Sequence, residues 1–186
     1  MPSVITVEPA TMPVTTADAK LHLRVDHSDE DDTIARLVSA ATDYVQADLS
    51  QQLVTATRRL KMDAWPSGDY FELEYPPLAT ITSIVYTDAA GDEQTWDSSE
   101  YVVDTDYRPG RVYLAYNKTW PTLRGMRNAI TVTYTCGYGA DTDVPENIVS
   151  AILLLVGGWF ENRIPFGESN RAVDSLLSTA SHGRYS

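Results

Sequence analysis

The sequence has little cysteine and no long apolar run, and each shortage excludes a class of protein. One cysteine, Cys136, in 186 residues can form neither an intrachain disulfide nor a cysteine-based zinc cluster. No apolar stretch approaches the roughly 20 residues that span a bilayer, and residues 1–16 lack the pattern of a signal peptide. We therefore expect a protein that is made in the cytosol and has no membrane partner.

Positive charge is also scarce. The 14 Lys and Arg residues against 26 Asp and Glu residues give a net charge of -12. Binding of DNA phosphates requires clustered Lys and Arg, so the composition argues against a surface that grips nucleic acid. An acidic surface suits a wall along which DNA slides, although solubility is the commoner reason for acidity. The length of 186 residues fits one domain, or one domain carrying an insertion, and a hydrophobic content of 43% is ordinary for a globular protein.

Familiar catalytic and metal-binding motifs are missing. The sequence has no G-x-S-x-G elbow, no P-loop and no G-x-G-x-x-G loop. Cys136 lies in a predicted strand, and we expect it in the core. His22, His27 and His182 lack the spacing of zinc ligands, and the acidic residues of 26–32 lack the calcium-loop pattern. We predict no catalytic residue, no metal and no cofactor.

Two helices are predicted near the start of the chain. Thr15 or Thr16 can cap a helix over 17–24, and Asp18 can complete a capping box from Thr15. A second box, from Ser28 to Asp31, precedes a longer helix. Along it apolar residues recur at three- and four-residue intervals: Ile34, Leu37, Val38, Ala41, Val45 and Leu49. That stripe needs a partner from later in the chain.

A third long helix follows Pro145 and is apolar nearly all round. Beside its expected stripe, which includes Trp159, it carries Leu153, Leu154 and Phe160 on other faces. Such a helix is buried on more than one side, inside the monomer or against a neighbouring subunit. We take these four residues as candidate subunit contacts. A short helix over 172–177 and an exposed tail from Ser178 are predicted after it.

The residues between these helices predict short antiparallel strands, because β-branched and aromatic segments alternate with Gly, Pro and Asp. The predicted strands are 54–62, 70–74, 81–87, 93–96, 101–104, 111–114 and 129–136. The segments 88–91 and 107–110 are typical of hairpin turns whose glycine supplies a positive φ.

Two other functions fit parts of this pattern. Trp65, Trp96 and Trp120 could line a carbohydrate- or protein-binding face of a β-rich module, although aromatic residues more often form cores and subunit contacts. A hydrolase would need Cys136 as its nucleophile.

The order of features along the chain resembles the head-tail connector (portal adaptor) proteins of tailed phages, in the branch with a β insertion. The resemblance covers nearly the whole chain and begins with Val14 to Asp26, a short helix that ends in a Leu-Arg segment, and the acidic start of the next helix. The remaining segments are 28–34, 75–78, 81–86, 101–103, 120–121, 130–134, 136–138, 144–148, 151–155 and 159–163.

The resemblance implies an α+β fold: one connector domain, 1–186, with a helical core of three to four helices from 15–50 and 145–178. The antiparallel β region 51–144 is inserted between its second and third long helices. Members of the family are structural and assemble as a ring, twelvefold in the particle, that docks onto the portal protein. The ring continues the DNA channel and holds the next stopper or tail component.

The family's C-terminal segment reaches the portal. Carried onto this chain, this implies a portal-binding tail over 179–186 and portal contacts near the C-terminus. The candidate contact residues are Leu176, Leu177, His182, Arg184 and Tyr185. The expected location is the neck of a virion, after assembly in the host cytoplasm, with DNA passing through without sequence-specific binding.

Overall fold

The computed structural model describes residues 3–162 and 171–181 and has an α+β fold with four helices and antiparallel sheets, as predicted. In chain order the elements are β1 (Val4–Val7), α1 (Thr16–Leu23), α2 (Asp31–Leu49), β2 (Ala56–Met62), β3 (Tyr70–Leu73), β4 (Leu78–Thr87), β5 (Glu93–Thr95), β6 (Tyr101–Asp104), β7 (Gly110–Leu114), β8 (Ile130–Cys136), α3 (Glu146–Asn162) and α4 (Arg171–Ser181), with short 3-10 turns at Ser98–Glu100 and Asp141–Asp143. None of the described helices is both long and apolar enough to cross a bilayer.

The chain divides into two compact units. The helical unit comprises the described residues of Thr11–Val54 and Gly139–Ser186, and the β unit comprises those of Met1–Ala10 and Thr55–Tyr138. The β unit is thus inserted between α2 and α3, where the sequence predicted a β region. The description of the whole chain as one connector domain stays a prediction.

The first helix begins as predicted and the second does not. Thr15 accepts a hydrogen bond from the Asp18 backbone N–H at 3.1 Å, and the Asp18 carboxylate accepts one from the Thr15 N–H at 3.2 Å, which completes the capping box of α1. The predicted box from Ser28 is wrong. The N-cap of α2 is Glu30, which makes no side-chain cap, so Asp31 is the first residue of the helix and its carboxylate pairs with the Lys20 ammonium at 2.5 Å.

The last helix runs further than the sequence indicated. We predicted a tail from Ser178, but α4 continues to Ser181. Ser178 and Thr179 donate their hydroxyl hydrogens to the carbonyls of Ser175 and Leu176 at 2.8 and 2.7 Å, so these polar side chains are satisfied inside the helix. Of the predicted tail 179–186, only the part up to Ser181 lies in the described residues, and that part is helical.

The β unit contains two antiparallel sheets. A five-stranded sheet has the order β1-β2-β8-β4-β5, and a three-stranded sheet has the order β3-β7-β6. Both contribute to one core, which includes Phe71 and Val112 from the smaller sheet and Ile84, Ile130 and Val132 from the larger. All seven strands predicted from the alternation in 54–136 are present, and β1 was missed.

The two strands at the ends of the insertion are neighbours. Ala56, at the start of β2, pairs with Cys136, at the end of β8. The chain therefore enters and leaves this unit at adjacent positions on one sheet, apart from β1, which comes from the N-terminal segment.

One of the two predicted hairpin glycines has a different role. Gly91 has a φ of 100° in the turn between β4 and β5, as expected. Gly110 does not adopt a positive φ. It is buried, and a Cβ built on it would lie 2.5 Å from the Cβ of Leu78. The sequence selects glycine at 110 because Leu78 of the larger sheet occupies the space of a side chain.

Candidate functional site

The apolar surface of α3 is covered largely by other helices of its own unit. Ile148, Ile152 and Val156 are fully buried on the side that contacts α2. Trp159 lies on the same side, four residues after Leu155, and its ring makes a T-shaped contact with Tyr44 on α2, with centroids 6.3 Å apart. Trp159, one of the four predicted subunit contacts, therefore already contacts a residue of its own chain.

The flanks of α3 face the two remaining helices. Gly157 lies next to α1, where a Cβ would be 3.6 Å from the His22 imidazole, and Leu153 shares this flank because it is four residues away. Leu154 shares the other flank with Asn147, whose amide donates to the Leu176 carbonyl of α4 at 3.4 Å. Packing against three helices explains why α3 is apolar nearly all round.

The four candidate subunit contacts do not form one continuous face. All four are half-buried, but helical geometry places Leu153 and Phe160 together, Leu154 about 100° away, and Trp159 on the side of α2. Leu153 and Phe160 are therefore the pair among the four that share one side of α3, the flank next to α1, and their role as subunit contacts stays a prediction.

The candidate portal contacts divide between described and undescribed residues. Leu177 is 3% exposed and packs within the helical unit together with Val173, whereas Leu176 is half-buried. His182, Arg184 and Tyr185 lie outside the described residues.

The tryptophans of the β unit form one aromatic cluster. Trp120 stacks on Trp65 with centroids 4.9 Å apart and an interplanar angle of 13°, and Trp96 lies 5.1 Å from Trp65. The indole N–H groups of Trp65 and Trp120 donate to the carbonyls of Pro121 and Gly68, each at 2.9 Å. Rings that contact one another and have satisfied polar atoms are typical of a packed cluster.

A shallow groove of about 440 Å³ opens beside this cluster. Its lining residues are Tyr86, Thr95, Trp96, Asp97, Glu100, Thr119, Trp120, Pro121 and Thr122. The Ser99 N–H, 2.8 Å from Asp97, lowers the pKa of that carboxyl, and Glu100 pairs with Lys118 at 2.7 Å. The groove thus combines indole edges with two carboxylates.

Sequence reasoning missed a charged and aromatic network on the outer face of the smaller sheet. Arg111 donates to Glu72 at 2.9 Å and to the Tyr113 hydroxyl at 3.4 Å, and its guanidinium lies 3.4 Å from the ring centroid of Tyr107 and 4.6 Å from that of Tyr70. The Tyr113 hydrogen bond and the Glu72 carboxylate raise the pKa of Arg111. The signal available in the sequence was weak, since only the register of β3 and β7 places Glu72 opposite Arg111.

Cys136 is fully buried, as predicted, and this burial raises the pKa of its thiol to about 12. Only the thiolate is an effective nucleophile, so at neutral pH this side chain is held in its unreactive form. The geometry therefore argues against the hydrolase hypothesis.

A protein-family model described as head completion protein matches residues 14–172. No curated protein matches the chain significantly.

Among solved structures, the fold is similar to a chain from the neck of an empty gene transfer agent particle, computed with C6 symmetry, and to one from the virion of a native particle of that kind. Each has a TM-score of 0.80 and 22% identity, over 96% of this chain and 94% of that one. A chain from the neck of a native particle, computed with C12 symmetry, matches over the same shares with a TM-score of 0.78 and 21% identity.

Proposed function

The chain belongs to the head completion protein family, and from that membership we propose that it is a non-catalytic head-tail connector that forms a ring on the portal protein. In this proposal the ring extends the DNA channel and presents the attachment site for the next stopper or tail component. The observation that carries the proposal is the extent of the family match, which runs from residue 14 to residue 172 and includes parts of both units.

Membership of this family confirms that the sequence was correctly recognised as similar to the head-tail connector proteins. Two of the similar structures are of a neck, one computed with C6 and one with C12 symmetry, and a third is of a virion. These similarities support assembly of this chain as a ring, with twelve copies as the proposed number, and a location in the particle. Rings form when two different faces of each subunit are complementary.

The proposed portal contact falls at the end of the chain. Leu177 is buried within the helical unit, so it is occupied before any partner binds. We assign the contact to the half-buried Leu176 and to residues beyond α4, namely His182, Arg184 and Tyr185. A short C-terminal segment that binds a groove on a partner contributes affinity without changing the fold of its own domain.

Native mass spectrometry with the cognate portal tests the proposal. The full chain is expected to form a ring-sized complex with the portal, and a chain that ends at Ser181, where α4 is complete, is expected to lose it. A second variant keeps the full length and replaces only Arg184 and Tyr185 by alanine. Loss of the portal complex in both variants supports a contact made by these two side chains. A full-length chain that never binds the portal overturns the proposed function.

The groove beside Trp96 and Trp120 supports a second candidate function, binding of a carbohydrate by aromatic stacking and carboxylate hydrogen bonds. A glycan array with the wild-type chain and with Trp120→Ala tests it. Binding that the substitution removes, together with no portal complex, favours this function over the connector. Absence of any glycan signal with a formed portal complex rejects it.

A further inference from the structure

The five-stranded sheet has two unpaired edges of opposite charge. Its order places β1 at one edge, beside β2, and β5 at the other; β1 pairs only with Thr57 to Arg59 of β2, and among the described residues no further strand pairs with β1 or β5. Exposed strand edges are normally covered or used for association, because their backbone groups lack partners in the sheet. Both edges belong to the β unit.

The edge at β1 and β2 is basic on its outer face. Along β2, burial alternates, so that Arg58 and Leu60 lie inward while Arg59 and Lys61 are exposed on the opposite side. Val4 of β1 pairs with Arg59 and is 51% exposed. This edge thus offers two cations beside exposed apolar surface.

The edge at β5 is acidic on the same face. Directly paired residues point to one side of a sheet, and the row from Lys61 through Thr131 and Val85 ends at Thr95 of β5. Glu93, two residues before Thr95, therefore shares the face of Lys61. Asp92, which precedes β5, lies on the opposite side by the same alternation, and both Asp92 and Glu93 are exposed.

The hairpin that precedes β5 adds to this acidity. Asp88 accepts backbone hydrogen bonds from Ala90, Gly91 and Asp92 there, at 2.9 to 3.0 Å. Arg124 lies against Gly91, and its positive charge offsets one of the three negative charges of Asp88, Asp92 and Glu93.

The backbone of β5 is suited to a partner at this edge. Trp96 donates to the Ile84 carbonyl at 2.8 Å and Asp88 to the Asp92 carbonyl at 2.9 Å, which fixes the alternation of the ladder. By that alternation Gln94 turns its backbone groups toward β4, whereas Glu93 and Thr95 turn theirs outward. Glu93 therefore offers a partner both an acidic side chain and outward backbone groups.

We infer that neighbouring copies of this chain contact each other through these opposite edges, with Arg59 and Lys61 of one copy facing Asp92 and Glu93 of the next. This inference rests on the proposed ring and names one of its contacts. A contact between two different edges is heterologous, which is the kind that a closed ring of identical subunits requires. The charges set the partner and the direction of assembly.

Charge reversal, followed by native mass spectrometry of the chain with its portal, tests the contact. The basic edge is reversed by R59E/K61E and the acidic edge by D92K/E93K. Each double variant alone is expected to lose the ring, because it brings like charges together. The chain that carries all four substitutions is expected to regain it. The control R36E/R127E alters the net charge as much as R59E/K61E does, at exposed sites outside the five-stranded sheet, and is expected to keep the ring.

The outcomes distinguish a failure of the edge contact from a failure of the proposed connector function. A wild-type chain that forms no ring overturns both. A wild-type ring that persists in R59E/K61E and D92K/E93K overturns the edge contact and leaves the connector function standing. Loss in both double variants without recovery in the fourfold variant, while circular dichroism shows all of them folded, also overturns the contact. Recovery in the fourfold variant supports it.

Discussion

Two titratable side chains of β8, Tyr134 and Cys136, are fully buried. Burial raises the pKa of each to about 12, from ordinary values of 10.0 and 9.0. The Tyr134 hydroxyl donates to the Glu74 carbonyl at 2.9 Å, so its proton also has a structural role. At the scale of residues, the core of the β unit favours the neutral forms of both groups.

The shifted pKa values predict a loss of stability in alkali. Unfolded chains release the Cys136 proton near pH 9 while folded chains keep it until about pH 12. The free energy of unfolding is therefore at its full value below pH 9 and falls as the pH rises toward 12. Urea denaturation from pH 8 to pH 11 measures the fall, and Cys136→Ala is expected to make it shallower. Tyr116→Phe, at a side chain that is 91% exposed, is the control and leaves the slope unchanged. A wild-type curve that stays flat to pH 11 would contradict the prediction.

At the scale of elements, the start of α1 provides a comparison between adjacent threonines. Thr15→Ala removes the capping box with Asp18 and is expected to lower the free energy of unfolding by about 1 kcal/mol. Thr16→Ala lies inside the first turn, lacks that hydrogen bond and serves as the control. Thermal or urea unfolding monitored at 222 nm measures both. Equal stabilities of the two variants would show that the cap contributes nothing.

The contact between β7 and β4 predicts a second stability difference. Gly110→Ala places a methyl group against Leu78 and is expected to cost about 1 to 3 kcal/mol through overpacking. Gly68→Ala is the control, because nothing lies within 4 Å of the added carbon there. If the clash is the cause, Gly110→Ala should cost less in a Leu78→Gly background than in the wild-type chain, because the Leu78 Cβ is the nearest atom to the added carbon. Urea denaturation of the wild-type chain, the three single variants and the double variant measures the difference.

Elements with a strong local pattern could be predicted from the sequence, and those fixed by distant partners could not. The stripe of α2 and the alternation of β2 and β8 were sufficient to place these elements. The short strand β1 was missed because it is stabilised by pairing with β2, more than 50 residues later. The neighbouring Ser3 also depends on β2, because its hydroxyl oxygen accepts a hydrogen bond from Arg58 Nε at 3.1 Å.

The candidate surfaces follow the same rule. Cys136 was correctly placed in the core from strand alternation, which is local. The helix α3 was recognised as unusually apolar, but whether its flanks face a neighbouring subunit or α1 and α4 depends on tertiary packing. The Arg111 network was missed because it requires the register of β3 against β7, together with a tyrosine from a loop.

At the scale of the whole molecule, the negative charge is distributed unevenly between the two units. Residues 11–54 and 139–186 contain 14 acidic and six basic residues, a net charge of -8, and the remainder of the chain carries -4. Repeated around a ring, this charge would repel the phosphates of DNA.

This distribution predicts that the chain does not retain duplex DNA. Electrophoretic mobility shift at low ionic strength, where electrostatic binding is strongest, is expected to show no complex with the wild-type chain. Replacing the exposed Asp32, Asp43 and Asp48 of α2 by lysine reverses a local charge and is expected to produce salt-sensitive binding. A wild-type complex that persists at physiological salt would rule out a channel wall along which DNA slides freely.

The pairing of Ala56 with Cys136 brings together the two ends of the segment inserted between α2 and α3, and of the β unit only β1 lies outside that segment. The two ends of the insertion lie about 5 Å apart, as paired residues in an antiparallel ladder do. Any compact domain with adjacent ends could be spliced between α2 and α3 at that spacing without lengthening either helix. Recombination could therefore alter what a connector of this design presents to its surroundings, or a fluorescent domain could be introduced there, while the helices on either side of the splice keep their own sequence.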